Sequence, residues 1–413
     1  MHAAESVAMS TSVNQINEQA SIEERRASAL EQARFLLPQI RERASAADAE
    51  RRVPDASIEA LVDADLFNLL TPQKFGGREL GVETLVRITA EIASACGSTG
   101  WVYGVLAGHS WLLNLFPVDA QKEVFSNPED LTATVFRLGG EVTEADGGYR
   151  LVNGEGRFCS GIDFASWVIV GNAVLRDGAP PQPRFFVIPR ADIEIIDDWH
   201  TVGMRGTGSR SIRIAETFIP AHRSVSLEHM LAGTSAGAQF HEAPLYRIPF
   251  QFIAPFSIIG APLGIARNAV GVSAAMLEGL LGSQDDLQVA ARSTSLARLG
   301  TAAAEADAAL ALVIEDARRI DAVRRPDDLD MDLRTRLPRN WAYAAQTARR
   351  AVNSLFEASG GASTYSDSQL QRVWRDVNAA AQHFAFVWDT AMTDAGRAML
   401  GLPPVNQQPG EKR

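Results

Sequence analysis

The stretch Tyr149-Arg-Leu-Val-Asn-Gly-Glu-Gly-Arg-Phe-Cys-Ser-Gly-Ile-Asp-Phe-Ala-Ser-Trp-Val-Ile-Val-Gly171 decides how the chain is read. Tyr149 and Leu151 on one side and Val168, Ile169 and Val170 on the other supply the apolar side chains of strands, and Gly154, Gly156 and Gly161 punctuate them. The pattern predicts two strands around a short polar turn centred on Ser160-Gly161. A hydroxyl followed by glycine at a strand end can present its Oγ and a nearby backbone N–H to a flat polar ligand, because glycine lets the ligand approach the main chain. Taken alone, the stretch reads as a plain hairpin.

Working outward, residues 21 to about 125 carry helical spacing, as in Ile58, Leu61, Val62 and in Leu85, Ile88, Ile92, with breakers at Pro54-Asp55 and Phe75-Gly76-Gly77. From about 131 to 225 the chain turns to short β-rich runs, and Ile212 and Ile214 alternate with Arg213 as a half-buried strand requires. After Pro249 come long Ala-rich helices over 260–281, 287–323, 333–359 and 368–400, which predict a four-helix bundle. The fold class expected is α+β, with a leader over 1–20, an N-terminal helical domain over 21–130, a β domain over 131–240 and a helical bundle over 241–413. The stretch 233–249 is expected to be a linker.

The formal charge of −11 and pI near 5.2 argue against a nucleic-acid footprint, and no run of 18 uninterrupted apolar residues suggests a membrane span. Residues 1–20 lack the pattern of a signal peptide, and the two cysteines, Cys96 and Cys159, show neither a disulfide framework nor a metal-ligand spacing. A reducing cytoplasm and no metal are expected. No Gly-x-Gly-x-x-Gly follows a strand, so the chain shows no NAD(P)H site of its own. Two histidines stand where chemistry could happen. His109 shares a helix face with Leu112 and Phe116, and His383 flanks the apolar stripe Val373, Val377, Ala381, Phe384 of the last helix. Either one alone reads as a satisfied core residue.

Four motifs in order, Phe158-Cys-Ser-Gly161, Trp199-His-Thr-Val-Gly-Met-Arg-Gly-Thr-Gly-Ser209, Leu355-Phe-Glu-Ala-Ser-Gly-Gly361 and Arg372-Val-Trp-Arg-Asp376, resemble the acyl-CoA dehydrogenase superfamily. The chain is most similar there to the oxygenase components of two-component flavin-dependent monooxygenases. That resemblance implies an acyl-CoA dehydrogenase-like fold with a central β-barrel domain. It implies hydroxylation of an aromatic or polycyclic substrate by O2 through a flavin C4a-hydroperoxide, with reduced flavin delivered by a separate NAD(P)H:flavin reductase. It implies a homotetramer.

The resemblance also assigns residues. Ser160 aligns with the partner of flavin N5, with Gly161 beside it, and Trp199 is expected to pack on the isoalloxazine. His109 and His383 align with the histidines that border the ring-substrate pocket, and His383 is the preferred base for a phenol proton, a task suited to an imidazole of ordinary pKa near ~6.5. Arg292 and Arg298 are the expected phosphate anchors. Gly279-Leu-Leu-Gly-Ser283, in place of the dehydrogenases' phosphate element, favours FMN over FAD. Many dehydrogenases carry a catalytic glutamate where this chain has Phe384, which disfavours the alternative of an acyl-CoA dehydrogenase-like oxidoreductase. A flavin-binding scaffold without activity is the third reading.

Overall fold

A computed structural model describes residues 21–281 and 293–405. The N-terminal part comprises α1 (Ile22–Glu42), α2 (Ala44–Glu50), α3 (Asp55–Asp63), α4 (Val82–Ala95), α5 (Gly97–Leu113) and α6 (Val118–Val124). Ser21 and Glu24 form a capping box that starts α1, and the Asp321 carboxylate caps α4 by accepting from the N–H groups of Val82 and Glu83 at 2.8 and 3.1 Å. Helix α5 is buried on nearly every side. Gly100, Gly104 and Gly108 recur every fourth residue, and a Cβ at Gly104 or Gly108 would lie 2.1 Å from the Ser257 carbonyl oxygen or 2.4 Å from the Ser257 side chain. This close crossing fixes the roll of α5 and leaves Trp101, Val105 and His109, also four apart, along a neighbouring face.

The strands are β1 (Leu131–Val135), β2 (Glu141–Ala145), β3 (Gly148–Cys159), β4 (Ala165–Arg176), β5 (Ala179–Pro189), β6 (Glu194–Ile196), β7 (Arg210–Pro220) and β8 (Ser224–Ser226). They form one sheet in the order β6-β7-β3-β2-β4-β5-β8, with β1 added in parallel on β4. The hydrogen-bonded path therefore has two ends, β6 and β8, where the resemblance implied a barrel. The hairpin expected over 149–171 is also not what forms. β3 pairs with β2 and β7, β4 pairs with β2, β1 and β5, and β2 lies between the two. A register shift between Gly156 and Cys159, left-handed backbone at Phe158 (φ 65°) and Gly161 (φ 75°), and a 3-10 turn over Ile162–Phe164 carry the chain across instead of back. The true hairpins turn at Asp146-Gly147 and Asp177-Gly178, the usual two-residue turn chemistry.

The helical remainder is α7 (Leu227–Ala232), α8 (Ala236–Phe240), α9 (Phe256–Leu281), α10 (Ser293–Asp321), α11 (Met331–Ala358), α12 (Gln369–Ala380) and α13 (Trp388–Met399). The stretch 233–249 is packed rather than a linker: Tyr246 is fully buried and its hydroxyl donates to the Leu70 carbonyl at 3.0 Å. The last predicted helix breaks in two. His383 adopts extended backbone (φ −60°, ψ 140°) and starts a 3-10 turn over Phe384–Phe386 between α12 and α13. Within the segment 250–280, long and apolar enough to cross a bilayer by composition, 72% of the most apolar window is buried inside the fold, as in a core helix.

Candidate active site

A cavity of about 2050 Å³ opens where α5, the sheet and the C-terminal helices meet. Its wall is largely aromatic and aliphatic. Trp101 and His109 reach it from α5, Ser160 from the β3–β4 crossing, Trp199, Thr207 and Ser209 from the loop before β7, and His383 and Phe384 from the α12–α13 break. The structure thus brings Ser160, Trp199, His109 and His383 to one cavity, while Gly161, next to Ser160, packs against Leu106 and does not line it. It leaves Arg298 out: on α10 its Nη1 donates to the Ser354 carbonyl at 3.1 Å and to Glu357 at 3.2 Å, away from the cavity wall. Arg292 and Ser283 lie outside the described residues.

Ser160 is buried at the end of a line of polar groups. Trp101 Nε1 donates to Ser160 Oγ at 3.2 Å, Ser160 Oγ lies 2.6 Å from Ser209 Oγ, Ser209 Oγ lies 2.7 Å from Thr207 Oγ1, and Thr207 Oγ1 donates to the Met204 carbonyl at 2.8 Å. The Ser160 amide is not open to a ligand, because it donates to the Phe158 carbonyl at 3.0 Å. Of the two groups expected of this residue, only the side-chain oxygen faces outward chemistry.

The loop carrying Thr207 and Ser209 is clamped by the Arg-Asp pair of the last sequence motif. Asp376, buried, accepts from Met204 N–H at 2.6 Å, and Arg375 donates to the Val202 carbonyl at 2.9 Å while pairing with Asp48 of α2 at 2.7 Å. Met204 is left-handed (φ 54°), and a Cβ on Gly203 would lie 2.1 Å from the Arg375 carbonyl oxygen. Burial raises the Asp376 carboxyl to about 6, against the opposing pull of its bond to Met204 N–H. Trp199 belongs to the same clamp, donating from Nε1 to the Met204 carbonyl at 3.1 Å with its ring edge-on to Phe158 at 6.0 Å.

The two histidines hold opposite tautomers. His109 Nδ1 lies 2.8 Å from the Thr132 carbonyl, which only accepts, so Nδ1 carries the proton and Nε2 keeps a free lone pair. His383 Nδ1 accepts from Ala385 N–H at 3.2 Å, so in the neutral ring Nε2 carries the proton. Burial pushes both imidazoles down to about 4, so both are neutral at neutral pH. In the neutral rings His109 Nε2 is thus able to accept and His383 Nε2–H to donate, and both imidazoles lie below the ordinary range. His383 packs edge-on to Trp101 with ring centroids 5.7 Å apart, which puts it at the Ser160 end. Trp101 and His109 are eight residues apart on α5, about 12 Å along the helix axis.

Phe384, where dehydrogenases carry the glutamate, lines the cavity and meets Phe136 edge-on at 6.3 Å. The carboxylates on the wall are engaged: Glu155 with Arg213, Asp198 with Ser211, and Asp394 with Val405 N–H. Arg137 and Arg157, exposed on the wall, make no ion pair among the described residues. They were missed in the sequence because isolated arginines in strand-rich segments carry no pattern.

Residues 22–128 match the acyl-CoA dehydrogenase N-terminal domain family and residues 257–388 the C-terminal domain family. The chain is 36% identical over 379 residues to the flavin-dependent monooxygenase oxygenase subunit HsaA of Mycobacterium tuberculosis, covering 89% of this chain and 94% of that one. The chain belongs to the flavin-dependent monooxygenase oxygenase components. A FADH2-dependent resorcinol hydroxylase oxygenase component of a Rhizobium species is 32% identical, over 88% of this chain and 92% of the relative. The crystal structure of the M. tuberculosis HsaA monooxygenase superposes with a TM-score of 0.85 at 34% identity, covering 92% and 99% of the two chains. That of XiaF from Streptomyces, in complex with FADH2 and glycerol, gives 0.84 at 29%, covering 94% and 98%. This oxygenase component is thus a flavoprotein monooxygenase on the acyl-CoA dehydrogenase fold. Its own residues fit a flavin: an aromatic-walled cavity and an accepting oxygen at Ser160.

Proposed function

We propose that the enzyme hydroxylates a phenolic aromatic substrate, with the isoalloxazine against Ser160 and Trp199 and the substrate ring between His109 and His383. The observation that carries this is the pair of histidines with opposite tautomers on one cavity wall. A single small-molecule site typically occupies ~300–1,000 Å³, so a cavity of about 2050 Å³ has room for flavin and substrate together. Bound reduced flavin supplies two electrons and, with O2, the inserted oxygen atom. Substrate C–H, O2 and reduced flavin give C–OH, water and oxidised flavin.

His109 Nε2 accepts the phenol hydroxyl and so orients the ring. As the ring gains oxygen its hydroxyl becomes a protonated carbonyl, acidic enough for an imidazole held near 4 to take the proton. His383 Nε2–H donates to an oxygen at the Ser160 end, and the aromatic wall keeps water out. Arg137 and Arg157, exposed on the cavity wall, would hold the flavin phosphate. FMN and FAD share the isoalloxazine that the described residues meet. The FADH2 named for two relatives at 32% and 29% identity sets reduced FAD beside the reduced FMN expected from sequence.

A separate NAD(P)H:flavin reductase supplies the reduced flavin. A homotetramer in the cytoplasm completes the reading, supported by exposed Tyr343, Trp388, Met399 and Leu400 on the helical domain and by buried, unpaired Cys96 and Cys159. In such an assembly Arg298 would serve a cavity only of a neighbouring copy. The test is anaerobic loading with reduced FAD or FMN, then mixing with O2 and a panel of phenols. Products heavier by one oxygen atom are expected, and acyl-CoA thioesters should leave the oxidised flavin unbleached. Bleaching by a thioester, with no phenol oxidised, would overturn it.

A further inference from the structure

The line Trp101–Ser160–Ser209–Thr207–Met204 runs in one direction when Thr207 gives its proton to the Met204 carbonyl. Indole Nε1 can only donate, and the Met204 carbonyl, which also accepts from Trp199 Nε1 and Thr207 N–H, can only accept. Each hydroxyl between them has a single proton. Thr207 places its proton on the Met204 carbonyl, so the 2.7 Å contact with Ser209 must be filled by the Ser209 proton. The 2.6 Å contact between Ser209 and Ser160 must then be filled by the Ser160 proton. Ser160 Oγ, with its proton turned away and one lone pair taken by Trp101, keeps one lone pair and no proton for the cavity.

We infer that Thr207 and Ser209 are positioning residues that make Ser160 a pure acceptor and thereby give the site a preference for the reduced flavin. The inference rests on the flavin reading above. N5 carries a hydrogen in the reduced ring and a bare lone pair in the oxidised ring. A Ser160 oxygen that can only accept stabilises the first and repels the second. A serine free to rotate would satisfy either, so the selectivity belongs to the line behind Ser160 and not to the serine alone. The Asp376 clamp holds the far end, since Met204 is bound to it through its own N–H. For an oxygenase component that receives reduced flavin and must release the oxidised form, this polarity sets the direction of exchange.

The experiment is anaerobic equilibrium titration of oxidised and dithionite-reduced flavin, giving the ratio of the two dissociation constants. The parent should favour the reduced form. Ser209→Ala removes the acceptor for the Ser160 proton, and Thr207→Val frees the Ser209 proton to turn towards Ser160. In both, Ser160 regains a proton for the cavity, and the preference should shrink about three- to tenfold, the size expected of one hydrogen bond of altered sense. Thr207→Ser rebuilds the line and should keep the parent ratio, which a packing effect of the lost methyl would not. Parent-like ratios in folded Ser209→Ala and Thr207→Val proteins would overturn the inference and leave the flavin reading standing. A parent that binds neither flavin form would sink both.

Discussion

The two polar ends of the cavity are built on different principles. At the Ser160 end, five groups from α5, the β3–β4 crossing and the pre-β7 loop form one hydrogen-bonded line, backed by a buried carboxylate. At the His109 end, one imidazole in an apolar wall is held by one carbonyl. The first end is fixed by connection and the second by packing and neutrality. Connection gives the Ser160 oxygen a defined sense that no single neighbour imposes, while isolation leaves the His109 lone pair free to meet a substrate.

The comparison breaks most visibly at His109. His109→Asn should keep flavin binding and lower hydroxylation of a phenol by on the order of 10² to 10⁴, as expected for removing a proton acceptor at the reacting ring. His383→Asn, which can still donate, should lose about tenfold or less. Steady-state turnover of the two variants checks the order, and a larger loss at position 383 would restore the assignment favoured by sequence.

A smaller effect is expected where the connected end meets the helices. In Gly203→Ala the new methyl runs into the Arg375 main chain, which cannot yield as a side chain would. The loss should be about 1–3 kcal/mol of stability, with weakened flavin binding, read by thermal melts and titration. Unchanged melting would mean that the loop is not clamped at all.

The smallest effect is on the pH profile. Because burial lowers His109 from 6.5 to about 4, the native state resists protonation more than the unfolded chain does. Its contribution to stability is therefore present above the unfolded pKa and lost as pH falls through the window from about 6.5 to about 4. Asp376 and Asp321, raised to about 6, act with the opposite sign: their contribution is present below the unfolded pKa and lost as pH rises through about 6. Hydroxylation should stay level from neutral pH down to about 5 and fall only below it. A midpoint near the ordinary imidazole value would show that His109 is far wetter than its surroundings imply.

Legibility in the sequence follows the same division. The order of helices, strands and helices could be read because periodicity and Asp-Gly turns are local signals, and Ser160 stood out because glycines surround it. The crossing at Ser160 looked like a hairpin because nothing local reveals that β2 inserts between β3 and β4. The break at His383 has neither glycine nor proline, so the apolar stripe ran through it unbroken. The tautomers of the histidines depend on Thr132 and Ala385 main-chain groups, which no side-chain pattern records. The four-residue recurrence of Gly100, Gly104 and Gly108 was the one available signal for how α5 is turned.

The bond from Asp376 to Met204 spans 172 positions and that from Trp101 to Ser160 spans 59. In order of synthesis, the indole and the serine precede by a long stretch the carboxylate that holds the other end of their line. A nascent chain ending before Gln369 owns every hydroxyl of the line and no Asp376 to brace it against, so the line can be braced only well after the sheet can already exist.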